Sequence, residues 1–324
     1  MKSSQRRAAS FVRPAQAPKR PKHSTFKASV LVVSYNHDKH LAAALDSALA
    51  QQVDFPIEIV VADDASTDGT KDLIAEYQRH WPGVVKALSP QARLGVTRNY
   101  QRGFRACAGE YIAVLEGDDY WVGEERLSTM VAFLEHHREC AIAFNRILLQ
   151  DDDPPCCSLL QWDSAQPYEL KTGAELAYRN FIGNFSACVY RSVIVHRMDP
   201  RIYHFQMYDW FFNLAMSRYG LIGYLPRVMS VYRQHGAGTW SGMGPEQRLR
   251  ETIEVIPTYD KLLDGVYTQQ LRAHRMDARA EIESLKLRQL RERFPWNPAV
   301  AGYVLLRRVL RKTRLRALAA VRRI

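Results

Sequence analysis

No stretch of the 324-residue chain stays apolar for the about 18 consecutive residues that a membrane-crossing helix needs, so no segment is expected to span a bilayer. The N-terminus carries charge but no apolar core, which argues against a secretory signal. Cysteine is scarce: Cys107, Cys140, Cys156, Cys157 and Cys188 make an odd set with no CxxC pair and no metal-ligand spacing. A disulfide scaffold or a zinc ribbon is thereby excluded, and reduced thiols in the cytoplasm are expected. No internal repeat is present, which excludes a solenoid or a propeller.

The net charge of +11 invites a nucleic-acid reading, yet the body of the chain lacks any basic surplus. Residues 1–30 hold Lys2, Arg6, Arg7, Arg13, Lys19, Arg20, Lys22 and Lys27 with no acid, and residues 301–324 hold Arg307, Arg308, Arg311, Lys312, Arg314, Arg316, Arg322 and Arg323, again with none. Removing those sixteen positive charges from +11 leaves the body at −5. No nucleic-acid partner is expected. What is present is the material of an ordinary core: 47% hydrophobic and 24% charged residues, with 6 Trp, 16 Tyr and 12 Phe.

Residues 1–27, rich in Lys, Arg, Pro, Ser and Ala, read as a disordered basic tail. Order begins with the β-branched run ASVLVVSYN, followed by KHLAAALDSALAQ, where Leu41, Ala44, Leu45, Ala48 and Leu49 recur at helical spacing. IEIVVADD, VVKALS and EYIAVLEGDD read as further strands, separated by the helices DLIAEYQRH and VTRNYQRGFRAC. Alternating strands and helices with continuously apolar strands predict an α/β domain, a parallel sheet covered on both faces. Beyond it come the helix LSTMVAFLEHH, the strand AIAFNRILLQ, a polar loop over Asp151–Pro155, and a short strand near Ala187–Tyr190. The helix DWFFNLAMSRYG and the strand IGYLPRVMSVYRQ follow. The domain is expected over residues 28–241, a helical extension over 242–293, and a basic amphipathic segment over 294–324.

In such sheets ligands bind at the carboxyl ends of the strands. Three polar clusters fall there: Ser34-Tyr35-Asn36, Asp63-Asp64 and Glu116-Gly117-Asp118-Asp119. Three acids packed together repel one another unless a cation or solvent relieves them. Such a set suits a divalent metal, Mg2+ or Mn2+, that neutralises a diphosphate leaving group. Asp209 falls at a predicted helix start, where the anion is favoured; taken alone it is an ordinary helix-start acid.

The segments SYNHDKHLAAALDSALAQ, VVADDASTDGT, RLGVTRN and GEYIAVLEGDDYW, in this order, resemble the nucleotide-binding half of family 2 glycosyltransferases with the GT-A fold. Through YDWFFNLAMSRYGLIGYLPRVMSVYRQHGAGTWS the resemblance covers roughly residues 28–241. It implies a Rossmann-like, mostly parallel sheet flanked by helices, and transfer of a sugar from a nucleotide diphosphate, a UDP-sugar foremost, to a glycan or lipid-linked acceptor in cell-envelope polysaccharide synthesis. It also implies roles position by position. Tyr35 would pack on or bond the base of the donor, and Asp64 would read the base edge with Asp63 beside it. Asp118 and Asp119 would hold the ribose and the metal, with the direct ligand left open between them. Glu116 stands where the family often has Asp, so the acidic motif reads ExD in this chain. Arg98 would meet phosphate or order the acids, and His235 would approach the diphosphate or the metal, near Arg233 and Trp240. Asp209 would be the general base of an inverting displacement. Gly236, Gly238 and Gly242 suggest a loop that moves over bound donor.

Asn184, Phe185 and Ser186 are candidates for the acceptor side. At the C-terminus, Leu306, Leu310, Thr313, Ala317, Val321 and Ile324 form one stripe opposite most of the arginines. That pattern predicts a helix lying on an anionic membrane surface, and so a cytoplasmic protein peripheral to the inner face of the cell membrane. A non-catalytic nucleotide-sugar or glycan-binding protein on the same fold is the alternative; it would have no need of Asp209. A nucleotidyltransferase would want a Gly- and Lys-rich phosphate loop after the first strand, which SYNHDKH does not provide.

Overall fold

The computed structural model describes residues 26–294, apart from residues 89–91, 153–154, 207, 237, 239 and 241. The basic tail and the C-terminal amphipathic segment anticipated above therefore lie almost wholly outside the described residues. Strands β1 (Ala28–Ser34), β2 (Ile57–Asp63), β3 (Val85–Leu88) and β4 (Tyr111–Glu116) alternate with helices α1 (Leu41–Leu49), α2 (Thr70–His80) and α3 (Val96–Ala106). There follow β5 (Tyr120–Trp121), α4 (Arg126–His136), β6 (Cys140–Asp152), β7 (Pro155–Leu159), β8 (Glu169–Lys171), α5 (Gly173–Tyr178), β9 (Cys188–Arg191) and α6 (Ser192–Val195). Helix α7 (Asp209–Met216), β10 (Leu221–Gln234), α8 (Pro245–Leu262) and α9 (Thr268–Arg293) complete the order.

Every residue of β1 and β2 is buried, because the sheet is covered on both sides. The strand period of two sorts the side chains. Leu31 and Val33 enter a core with Tyr100 and Phe104 of α3, whereas Val30 and Val32 enter a second core with Leu41 and Leu45 of α1. The sheet runs β3-β2-β1-β4-β9-β6-β10-β5, with β7 on β6 and β8 on β10. The expected parallel arrangement holds for β3-β2-β1-β4 and for β6 beside β10.

Strand β9 departs from it, lying antiparallel between β4 and β6. Its direction follows from where it starts. A 3-10 turn, Phe185–Ala187, sits at the carboxyl end of β4, where Glu116 N donates to Ser186 Oγ at 3.0 Å. A strand leaving that point can only run back down the sheet. Asp151, Asp152 and Pro155, expected in a polar loop, are instead strand residues, since the β6–β7 ladder extends to the pair Asp152 and Pro155.

Helices α8 and α9 pack on the domain. Ile256, Tyr259, Leu263, Tyr267 and Leu271 share one core with Phe211 and Phe212 of α7. All five cysteines are free. No helix among the described residues is long and apolar enough to cross a membrane.

Candidate active site

Parallel pairing brings the three polar clusters side by side. Ser34 is level with Asp63, and Val33 with Glu116. Asp64 N then donates to Ser34 O at 2.9 Å and Gly117 N to Val33 O at 2.8 Å, continuing the ladders past the strand ends. Gly117 has no room for a side chain: a Cβ there would lie 2.8 Å from His37 Nδ1. That close approach brings the β1–α1 loop against the acidic turn.

On the β2 side the acids organise loops. Asp63 is fully buried and accepts from Ser66 N at 3.1 Å and from the Ser66 hydroxyl. Asp64, 2% exposed, accepts from Leu94 N at 2.7 Å on one carboxylate oxygen and from Gly95 N at 3.0 Å on the other. Both oxygens thus fasten the segment that starts α3, where Gly95 takes a positive φ of 84°. The Arg93 guanidinium lies 3.9 Å over the Tyr35 ring, with Nε 3.8 Å from Asp64 Oδ2. The exposed Arg93 thus bridges the part-buried Tyr35 ring and the buried Asp64 carboxylate in one corner. Arg93 opens the RLGVTRN motif but receives no role of its own from the sequence. Arg98 is exposed on α3, with its Nη1 donating to Gln101 Oε1 at 3.0 Å.

The acids after β4 divide their work. Asp119 is 0% exposed; its Oδ2 accepts from Asn184 Nδ2 and Ser186 Oγ, both at 2.6 Å, and its Oδ1 from Arg233 N at 3.0 Å. Glu116 accepts from Tyr100 OH at 2.8 Å and Asn184 Nδ2 at 3.1 Å. Asn184 and Ser186, placed on the acceptor side by sequence reasoning, here bind the acids from within the protein. Burial drives the Asp119 carboxyl up to about 7, helped by the Asp118 charge, against the pull of its donors. Burial likewise raises Glu116 well above the carboxylate range, with Asp119 and Asp118 adding to it.

Asp118 differs. Its side chain keeps 17% exposure, and His235 Nε2 lies 3.0 Å from its Oδ2, with His37 Nε2 at 3.8 Å. Burial opposes ionisation there too, but the His235 hydrogen bond and the two imidazoles outweigh it and hold Asp118 below its ordinary value. The His40 ring stands 5.1 Å from that of His235. Arg233 Nη1 donates to Asp118 O at 3.3 Å, and its guanidinium lies 4.6 Å over the Tyr120 ring.

No group of three or more His, Cys, Asp or Glu among the described residues is arranged to enclose a metal. Asp118 and His235 nonetheless fit a Mg2+ or Mn2+ site of the kind in which one or two protein ligands are completed by phosphate oxygens and water. Both Asp119 oxygens already accept hydrogen bonds inside the protein, so Asp118 is the more open of the two acids.

Asp209 is the first residue of α7, half-buried, with Asn180 Nδ2 3.5 Å from its Oδ2. The helix N-terminus was expected to favour the anion, yet burial outweighs it and moves the carboxyl up to about 6. At neutral pH the group is still mostly ionised. The acids converge: the Tyr232 phenol, raised chiefly by burial, also feels the charges of Glu116, Asp119, Asp118 and Asp209.

Against this geometry, residues 29–198 match the family described as Glycosyl transferase family 2. The chain belongs to that family. The uncharacterized protein Rv1520 of Mycobacterium tuberculosis (strain ATCC 25618 / H37Rv) is 35% identical over 227 residues, or 68% of this chain and 62% of the relative. The chain therefore spans less than two thirds of that relative's length. Among solved structures, S. aureus TarS 1-349 in complex with UDP-GlcNAc superposes with a TM-score of 0.57 at 19% identity, covering 84% of this family 2 chain and 74% of the TarS 1-349 chain. Mannosyltransferase PcManGT from Pyrobaculum calidifontis, in complex with GDP-Man and Mn2+, gives a TM-score of 0.51 at 15% identity over 95% of this chain and 91% of its own. At such identities the likeness establishes the fold, which is GT-A as the sequence motifs implied.

Proposed function

We propose that this family 2 protein transfers a glycosyl group from a nucleoside-diphosphate sugar, a UDP-sugar foremost, to a hydroxyl of a glycan or lipid-linked acceptor, with inversion at the anomeric carbon. One observation carries the reading: His235 stands 3.0 Å from Asp118 in a cluster of buried acids at the end of β4, and Asp209 is close enough for its charge to reach the Tyr232 phenol together with theirs. That combination joins a place for a charged leaving group to a separate base. TarS and PcManGT, bound to UDP-GlcNAc and to GDP-Man with Mn2+, support the donor class.

In this reading the Tyr35–Arg93 corner takes the nucleobase, with Asp64 fixing the loop that carries Arg93. Arg98, exposed nearby on α3, serves the phosphates. Asp118 and His235 hold the cation, while Asp119 and Glu116 position the turn that presents Asp118. A Mg2+ or Mn2+ held there would supply the neutralisation of charge on the diphosphate. Asp209 accepts the acceptor hydroxyl proton as that oxygen forms its bond to the anomeric carbon. The bond from that carbon to the diphosphate oxygen breaks, and the nucleoside diphosphate leaves with the electron pair. Attack from the face opposite the leaving group inverts the centre.

Incubation with a panel of nucleotide sugars, Mn2+ and candidate acceptors, followed by nucleotide chromatography, tests the proposal. Release of nucleoside diphosphate with one donor is expected. Pyrophosphate would instead indicate nucleotidyl transfer, and binding with no product would indicate a non-catalytic module.

A further inference from the structure

Helices α8 and α9 follow the last strand of the sheet and grip the two residues on either side of Asp209. Helix α7 starts without a side-chain cap on its first turn, so its own sequence does not fix where it begins. Its placement comes from neighbours. Trp210, 5% exposed, donates from Nε1 to Leu176 O at 2.9 Å. Its ring meets Tyr259 of α8 at 5.6 Å and His274 of α9 at 4.6 Å between centroids. His274 is itself pinned, with Nδ1 2.7 Å from Tyr178 O. On the other side of Asp209, the Tyr208 hydroxyl donates to Glu251 Oε1 of α8 at 3.0 Å.

We infer that α8 and α9 form a clamp that sets the position of Asp209, with Glu251, through Tyr208, as its positioning residue. The inference rests on the reading of Asp209 as the base. Trp210 and Tyr259 belong to the domain core, so that jaw is inseparable from folding. The Tyr208–Glu251 jaw is different: both residues are only part-buried, and their hydrogen bond ties the residue before the base to α8, 43 positions further along the chain. A bond at that place adds little to a core of this size, but it fixes the backbone from which Asp209 projects. Misplacing a base by a fraction of its hydrogen-bond length lowers the rate of transfer without touching the donor.

The test compares Tyr208→Phe, Glu251→Leu, Glu251→Gln and the double variant Tyr208→Phe/Glu251→Leu in the full chain, reading kcat, donor KM and melting temperature, with Asp209→Asn as control. Tyr208→Phe and Glu251→Leu are each expected to lower kcat about tenfold with donor KM within about twofold of wild type. The double variant should be no worse than either single one, since both remove the same contact. Glu251→Gln, whose amide oxygen still accepts from Tyr208, should restore most of the rate. Wild-type kcat in Glu251→Leu with only a lower melting temperature would reduce the clamp to a brace and overturn the inference. So would a Glu251→Gln variant as slow as Glu251→Leu. If Asp209→Asn transfers normally, the base assignment falls and the clamp with it. If Asp209→Asn is inactive while Glu251→Leu is fully active, the clamp alone falls.

Discussion

On the proposed mechanism, lowering the pH should silence transfer well before ordinary carboxylates titrate. As the proposed base Asp209 has to accept a proton, and burial moves its carboxyl from 3.8 to about 6. Because the shift is upward, the protonated, inactive form dominates below about 6 rather than below about 4. For a single titrating base, kcat at saturating donor and acceptor should be about a tenth of its plateau at pH 5, half at pH 6 and nine-tenths at pH 7. With an unshifted carboxyl the rate at pH 5 would remain above about 90% of the plateau. Nucleoside diphosphate release, followed across pH 4.5 to 8.5 with Mn2+ kept saturating, reads the limb directly. Asp119 also titrates in this region, up at about 7, so the limb needs assignment. Asn180 provides it: its donation to Asp209 Oδ2 favours the anion, so Asn180→Leu should move the limb upward, whereas a limb owned by Asp119 would stay. A flat profile down to pH 5, or a limb indifferent to Asn180→Leu, would refute the reasoning.

Chelation of divalent cations should stop transfer, and Mg2+ or Mn2+ should restore it. If Asp118 and His235 hold the cation as proposed, Asp118→Asn and His235→Ala should each weaken Mn2+-dependent nucleotide binding at least tenfold by calorimetry. Ser186→Ala strands Glu116 N and withdraws a donor from the buried Asp119, which should cost about 1–3 kcal/mol and show as a lower melting temperature.

The sequence made the alternating strands and the three strand-end clusters plain, since apolar runs such as VLVV and IVV and the helical spacing of α1 are local signals. What it hid was the second half of the sheet. Strand β9 runs antiparallel because of where the turn Phe185–Ala187 lands, and nothing local to Cys188–Arg191 encodes direction. The same turn explains why Asn184 and Ser186 were assigned to the acceptor: their partner Asp119 lies 65 and 67 residues away. The only nearby clue was that the Asn184 side chain caps the turn at Ser186 N. Equally hidden was the contrast between Asp118 and Asp119. Adjacent residues on a turn face opposite ways, and only the structure shows one bonded shut within the core and the other toward His235. The Asp64 carboxylate, expected at the base edge, is used by the loop amides of Leu94 and Gly95.

Asp209→Asn separates binding from chemistry in one protein. Titrated with its nucleotide sugar and Mn2+, it should bind the donor as tightly as wild type, and given acceptor it should form no product. Normal turnover by that variant would contradict the account at its centre.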